Sequence, residues 1–278
     1  MIPDGLSKPV VAAACLALLW TLEGLFPMFE DRTGRTPHDL GNLALGLFNA
    51  VVVPVLFATA TLAVTLWASD SGLGLLNEVD APPWAELVLA VIVFDAWQYF
   101  WHRLNHRIPL LWRFHAVHHS DADLDASTAL RFHTGEIVLS SLARLAVLPV
   151  LGLSIGQLLG YETVLLPVIL FHHSNIRVPE AVDRRLRAVI VTPWMHWVHH
   201  SDWQPETDSN YASVFSIWDR IFRSFRLRRD PRGIRLGLGL EDPEWNTLDG
   251  VMRMPLRRIE RSGAPPPGID DDEGPETG

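Results

Sequence analysis

The chain has 278 residues, 48% of them hydrophobic, which is enough to bury a core, and its single cysteine excludes an intrachain disulfide. A net charge of −9 speaks against nucleic-acid binding. The apolar residues gather in blocks near the length of a bilayer span, with no heptads or solenoid repeats, so the chain reads as a membrane protein.

The first block, Val10–Met28, contains Cys15. Only Lys8 against Asp4 precedes it and no small-x-small cleavage site follows, so it reads as a retained helix rather than a signal peptide. The second and third blocks are Leu43–Trp67 and Trp84–Trp101. A fourth run, Ile137–Phe171, is too long for one helix; Gly152, Gly156 and Gly160 punctuate it, which predicts a hairpin of two shorter helices. Basic residues cluster at Arg32 and Arg35, at Arg103, Arg107, Arg113 and Arg131, and at Arg184, Arg185, Arg187 and Arg220–Arg229, whereas Ser69–Pro83 has no Lys or Arg. Three spans and a hairpin put every basic segment on one face, which the positive-inside rule makes cytoplasmic. Residues 1–262 therefore form one all-α, membrane-embedded helical bundle. A histidine-rich cytoplasmic cap occupies about 102–136 and 172–230, and 263–278 is read as a disordered acidic tail.

Eleven of the twelve histidines lie between His102 and His200. His102 and His106 form His-x3-His; His115, His118, His119 and His196, His199, His200 each form His-x2-His-His. On a helix, positions i, i+3 and i+4 share one face, so each triplet presents its imidazoles together. Neutral imidazole suits iron, zinc, copper or nickel, and eight or more rings exceed the four that one tetrahedral zinc takes. Two metals use them all, with the adjacent pair ending each triplet diverging, one ring to each metal. His38, isolated in the sequence, reads as an ordinary surface or satisfied core residue. Asp95, Tyr99, His102 and His106 share one face of the third helix. Asp95 with Tyr99, and Glu136 after His133, are read as partners for the free N–H of metal-bound rings. Arg144, inside an apolar run, is open to two readings, a lipid head-group contact or snorkelling.

The order of these motifs resembles the fatty acid hydroxylase/sterol desaturase superfamily of membrane di-iron enzymes. Further matching pieces are Asp95-x3-Tyr99-x2-His102-Arg103, Arg131-Phe132-His133, His173-Ser174-Asn175, Asp208-Ser209-Asn210-Tyr211 and Trp218-Asp219-Arg220. The resemblance runs from Asp95 to about Phe225. It implies metal ligation by His102, His106, His115, His118, His119, His133, His173, His196, His199 and His200, with Asn175 and Asn210 beside them. His172 stands where such proteins often have Gln. Thr134, Ala212 and Arg223-Ser224 also depart from the usual pattern. The resemblance further implies two iron ions (zinc as an adventitious substitute), O2, a lipid substrate that is hydroxylated or desaturated, and a multi-pass protein of the cytoplasmic membrane. The chain has no Cys-x-x-Cys-His, Rossmann glycine fingerprint or iron–sulfur cysteine set, so electrons must come from a separate partner, which the resemblance implies is a ferredoxin- or cytochrome b5-type donor with its reductase. The rival readings are a zinc hydrolase, for which His-Glu-x-x-His is missing, and a haem or metal carrier.

Overall fold

The structure is a computed structural model that describes residues 7–30, 35–239, 242–257 and 259. Arg32 and the acidic tail 263–278 lie outside the described residues. Five long helices carry the architecture: α1 (Ser7–Leu25), α2 (Arg35–Ser71), α3 (Pro83–Arg107), and, after the short α4 (Pro109–His119), the hairpin arms α5 (Thr134–Leu151) and α6 (Ile155–His173). The cap is completed by α7 (Glu180–Leu186), α8 (Pro193–His199) and shorter turns. Among the described residues there is no strand, only isolated bridges such as Ile190 with Phe215.

Three segments are long and apolar enough to cross a membrane by length and composition, Thr36–Glu78, Thr134–Leu151 and Ile155–His173. Their outer faces are apolar and bare: Val55 on α2 is 80% exposed. Such a surface is costly in water and stable in lipid. The apolar part of α1 is shorter, Val10–Leu25. The third block does not reach the same apolarity, because α3 turns Asp95 and Tyr99 inward, fully buried.

At 37 residues α2 is about 55 Å long, well beyond the ~30 Å hydrocarbon core. The apolar block Leu43–Trp67 misses its first two turns because they are polar. Buried there, Asp39 accepts from Trp20 Nε1 of α1 and Asn42 reaches Asp121; further along, within the apolar block, Asn49 is also buried and bonds Phe132 O and Thr134. At the other end the hairpin turns where expected. Gly152 ends α5 in the left-handed conformation (φ 72°), and Ser154 opens α6 with a capping box to Gln157. The turn lies against Gly74 (φ 108°), where an added Cβ would stand 2.3 Å from Gly152 backbone atoms. The hairpin therefore reaches the same end of the bundle as the 69–83 loop.

Prolines set the geometry on the cap side. Ile108 and Thr192 are extended because each precedes a proline, and Pro109 and Pro193 then open α4 and α8. Each His-x2-His-His triplet thus ends a short helix that begins abruptly. The break at Ile108 also folds α4 back against the C-terminal end of α3.

Candidate metal centre

Two groups of imidazoles result, each with candidate ligand atoms within 4.8 Å of one another. The first is His102, His106, His115, His119 and His199; the second is His118, His173, His196 and His200. The triplets divide in complementary fashion. His115 and His119 enter the first group and His118 the second, while His196 and His200 enter the second and His199 the first. The end pairs do diverge, one ring to each group.

Backbone carbonyls orient the rings. His102 Nδ1 lies 2.8 Å from Tyr211 O, His199 Nδ1 2.6 Å from Ser209 O, and His173 Nδ1 2.7 Å from Ile169 O. A carbonyl only accepts, so each Nδ1 carries the proton and each Nε2 a lone pair. His115 Nδ1 donates likewise to Glu136 Oε1 at 2.8 Å. Yet His102 Nε2 stands 3.1 Å from His115 Nε2 and 3.0 Å from His199 Nε2. Three lone pairs aimed at one another repel unless a cation lies among them. Protonation is opposed: burial, then the neighbouring imidazoles, push His118, His119, His196 and His200 well below their ordinary pKa, as burial and His102 do for His199. Adjacent nitrogens on a metal at about 2.0–2.1 Å would stand about 2.9–3.3 Å apart, the spacing seen here. Both ring nitrogens of His119 are buried with no hydrogen-bond partner, a costly arrangement for a plain core histidine. In the second group, His173 Nε2 lies 3.0 Å from His118 Nε2 and 2.9 Å from His196 Nε2. The residues fit metal ions, and five imidazoles exceed a closed tetrahedral zinc site.

Of the ten histidines carried by the motifs, the structure leaves His133 outside both groups. Its Nδ1 accepts from Gly135 N (2.9 Å) as the N-cap of α5, so its Nε2 donates to Met252 O (3.2 Å). Neither nitrogen is available. His172 is also outside, although its ring centroid is 4.0 Å from that of His196.

The expected partners of the rings sort differently. Glu136 takes His115. Asp95 takes no histidine; it accepts from Tyr161 Oη, Val214 N, Phe215 N and Trp218 Nε1, and so pins the segment after Tyr211. The Tyr99 hydroxyl meets Ser224 Oγ at 2.7 Å and Arg103 at 3.2 Å. Asn175 ties down Phe29 through both its N–H and carbonyl. Asn210 is the residue between the two orienting carbonyls. It holds a left-handed φ of 49°, and its side chain bonds Met195 O, Arg226 O and Arg226 N.

Three further residues have contacts at the site that the sequence did not assign to them. Asp208 approaches His106 Nδ1 at 3.4 Å. Asp219 accepts from Tyr211 N and Ala212 N, and burial pushes its carboxyl up to about 6 despite those donors. Both belong to motifs noted for the resemblance, which was the available signal. His38 is the larger surprise, with Nε2 2.7 and 2.9 Å from the two oxygens of Asp121, two residues after His119. Burial opposes ionisation of Asp121, but His38 and Arg131 hold its carboxyl well below the usual range.

Between the groups and the hairpin lies a cavity of about 270 Å³. Rings of both groups wall it at one end, and Phe132, Ile137, Leu165 and Ile169 make its sides apolar.

A bundle with bare apolar faces, a buried double set of imidazoles and an apolar cavity against both defines a membrane-embedded helical protein with side chains suited to hold metal. A family model described as fatty acid hydroxylase matches residues 87–224, a stretch that includes all nine grouped histidines. The chain belongs to the fatty acid hydroxylase/sterol desaturase superfamily. It is 26% identical to the ornithine lipid hydroxylase OlsE of Rhizobium tropici, covering 82% of this chain and 70% of that protein. It is 28% identical to the alkylglycerol monooxygenase of Homo sapiens, over 82% of this chain and 49% of that one. Identity to the cholesterol 25-hydroxylase of Rattus norvegicus is also 28%, over 56% and 51% respectively. The chain thus spans about half the length of the latter two relatives. No solved structure matches it.

Proposed function

We propose that this chain is an O2-dependent oxygenase of the membrane that inserts oxygen at an unactivated C–H bond of a lipid. The observation that carries the reading is the apolar cavity whose wall includes rings from both histidine groups, so that a lipid chain inside it lies against both candidate metal sites. Relatives named as lipid hydroxylases and monooxygenases support it. Two irons are the proposed cofactors, one held by His102, His106, His115, His119 and His199, the other by His118, His173, His196 and His200. The chemistry they supply when bound is O2 activation and oxidation of the C–H bond. The donor is a separate ferredoxin- or cytochrome b5-type protein, and the histidine cap faces the cytoplasm.

The residues of the chain do the positioning. The carbonyls of Ser209, Tyr211 and Ile169, with Glu136, fix four rings in the tautomer that presents Nε2. The apolar sides of the cavity exclude water and hold an alkyl chain extended. Glu136 has one oxygen on His115; the other is buried without a partner, and the residue forms part of the cavity wall. That oxygen is placed to hold a proton beside the reacting chain. The test is turnover under 18O2 of iron-loaded protein with a lipid extract and a reducing partner. One 18O atom per oxidised lipid is expected. An unchanged lipid profile with two irons bound contradicts the proposal.

A further inference from the structure

Arg144 is neither buried in packing nor snorkelling. It lies at least seven residues, about 10 Å, from either end of α5. Its guanidinium turns inward: NH1 donates to Glu162 Oε1 at 3.1 Å, and the group sits over the ring of Phe94, 5.9 Å from its centroid. Arg144 also lines the same cavity as His102 and Glu136. The helix directions give its depth. α3 and α6 run toward the histidines and α5 runs away from them, so the level of His102 and Glu136 lies two turns from the level of Phe94 and Arg144. Eight residues separate Glu136 from Arg144 on one face of α5, about 12 Å along the helix.

A charged pair inside a spanning segment is expensive, and apolar residues in its place would be no less stable. A pocket for a plain hydrocarbon would have no use for it. The pair is not sealed, since Arg144 keeps 28% and Glu162 33% of its side-chain surface open. Arginine has five donors. One serves Glu162, and the Nε–H is buried with no partner.

We propose that Arg144, balanced by Glu162, is a specificity-determining receptor for a neutral hydroxyl or carbonyl oxygen of the substrate, placed about 12 Å along α5 from Glu136 at the level of the histidines. This rests on the oxygenase reading and deepens it. The carboxylate cancels the arginine charge, so a neutral oxygen fits better than a carboxylate or phosphate. An extended chain then reaches the metals with a carbon on the order of nine bonds from that oxygen.

The test is competition binding of tritiated 1-dodecanol to metal-loaded protein in detergent micelles, displaced by unlabelled 1-dodecanol, n-dodecane or dodecanoate. The intact protein should prefer 1-dodecanol to n-dodecane by about tenfold, the worth of one hydrogen bond to a charged group. Arg144→Met should abolish that preference while n-dodecane affinity and metal content stay as they were. Glu162→Gln, which uncovers the arginine charge, should shift preference toward dodecanoate. Equal affinity for 1-dodecanol and n-dodecane in the intact protein, or an undiminished preference in Arg144→Met, overturns the receptor. Binding is read without turnover, so failure of the oxygenase reading would appear separately, as no 18O incorporation with the alcohol preference intact.

Discussion

At the scale of single residues, the two groups make separate demands on each histidine. His199→Ala and His118→Ala each remove one nitrogen, from the first and second group respectively. Each should end turnover and lower metal content, as read by plasma mass spectrometry of the purified variants. His133→Ala should behave differently. It deletes an N-cap, so the expected loss is about 1 kcal/mol of stability with metal content unchanged, and His133→Asn, a better cap, should restore the melting temperature. Loss of metal in both His133 variants would return that residue to the ligand set. Asn210 offers a subtler case. Asn210→Gly keeps the left-handed backbone at no steric cost but loses the three side-chain bonds. Metal affinity should then fall about 10–100-fold, the usual effect of losing a group that orients a ligand.

The spacing of the histidines made eight of the nine grouped residues legible, because spacing along a helix fixes which side chains share a face; the ninth, His173, came from the family resemblance. It did not reveal their partners. Three of the orienting groups are backbone carbonyls, which no side-chain pattern can mark. Asp95 and Tyr99 do share the face of α3 that carries His102, as expected. Which element packs against that face is a tertiary matter, and the segment 214–218 claims Asp95 first.

At the scale of elements, the first turns of α2 act as a brace for the candidate ligands. His38 grips Asp121; Asn42 reaches Asp121 and Ser127, and accepts from Arg131. Arg131 in turn donates to Val117 O and Ser120 Oγ, either side of His118 and His119. The reading of His38 as an ordinary surface or satisfied core residue holds in its second form, but its partner lies 83 positions away and no local pattern marks it. His38→Ala should leave Asp121 with a buried, less compensated charge and cost about 3 kcal/mol, read by chemical denaturation. An unchanged stability would show the brace to be ornamental. The hairpin turn supplies a control in the lipid-spanning half. Gly74→Ala must push against the Gly152 backbone at a φ that alanine rarely adopts, whereas nothing but Ser154 Oγ, at 4.0 Å, meets a Cβ at Gly156. The first substitution should lower the melting temperature by several degrees and the second should be well tolerated.

At the scale of the whole molecule, the histidine cap closes one end of the bundle, and the 69–83 loop with the hairpin turn forms the other. With Cys15 replaced by Ser, single cysteines at Gly72 and Gly156 should react with an impermeant thiol reagent in intact cells, and one at Asp230 only after lysis. Labelling of Gly72 and Asp230 from the same side would separate the ends of the bundle from the two faces of the membrane. The central claim, however, is that two metals sit between the rings. The most direct measurement is metal content per chain in protein purified from iron-supplied cells, taken alongside its specific activity. About two irons per chain is the result predicted, with activity rising in proportion to occupancy. A reproducible stoichiometry of one metal per chain at full activity would contradict it, leaving one histidine group without a role in the reaction.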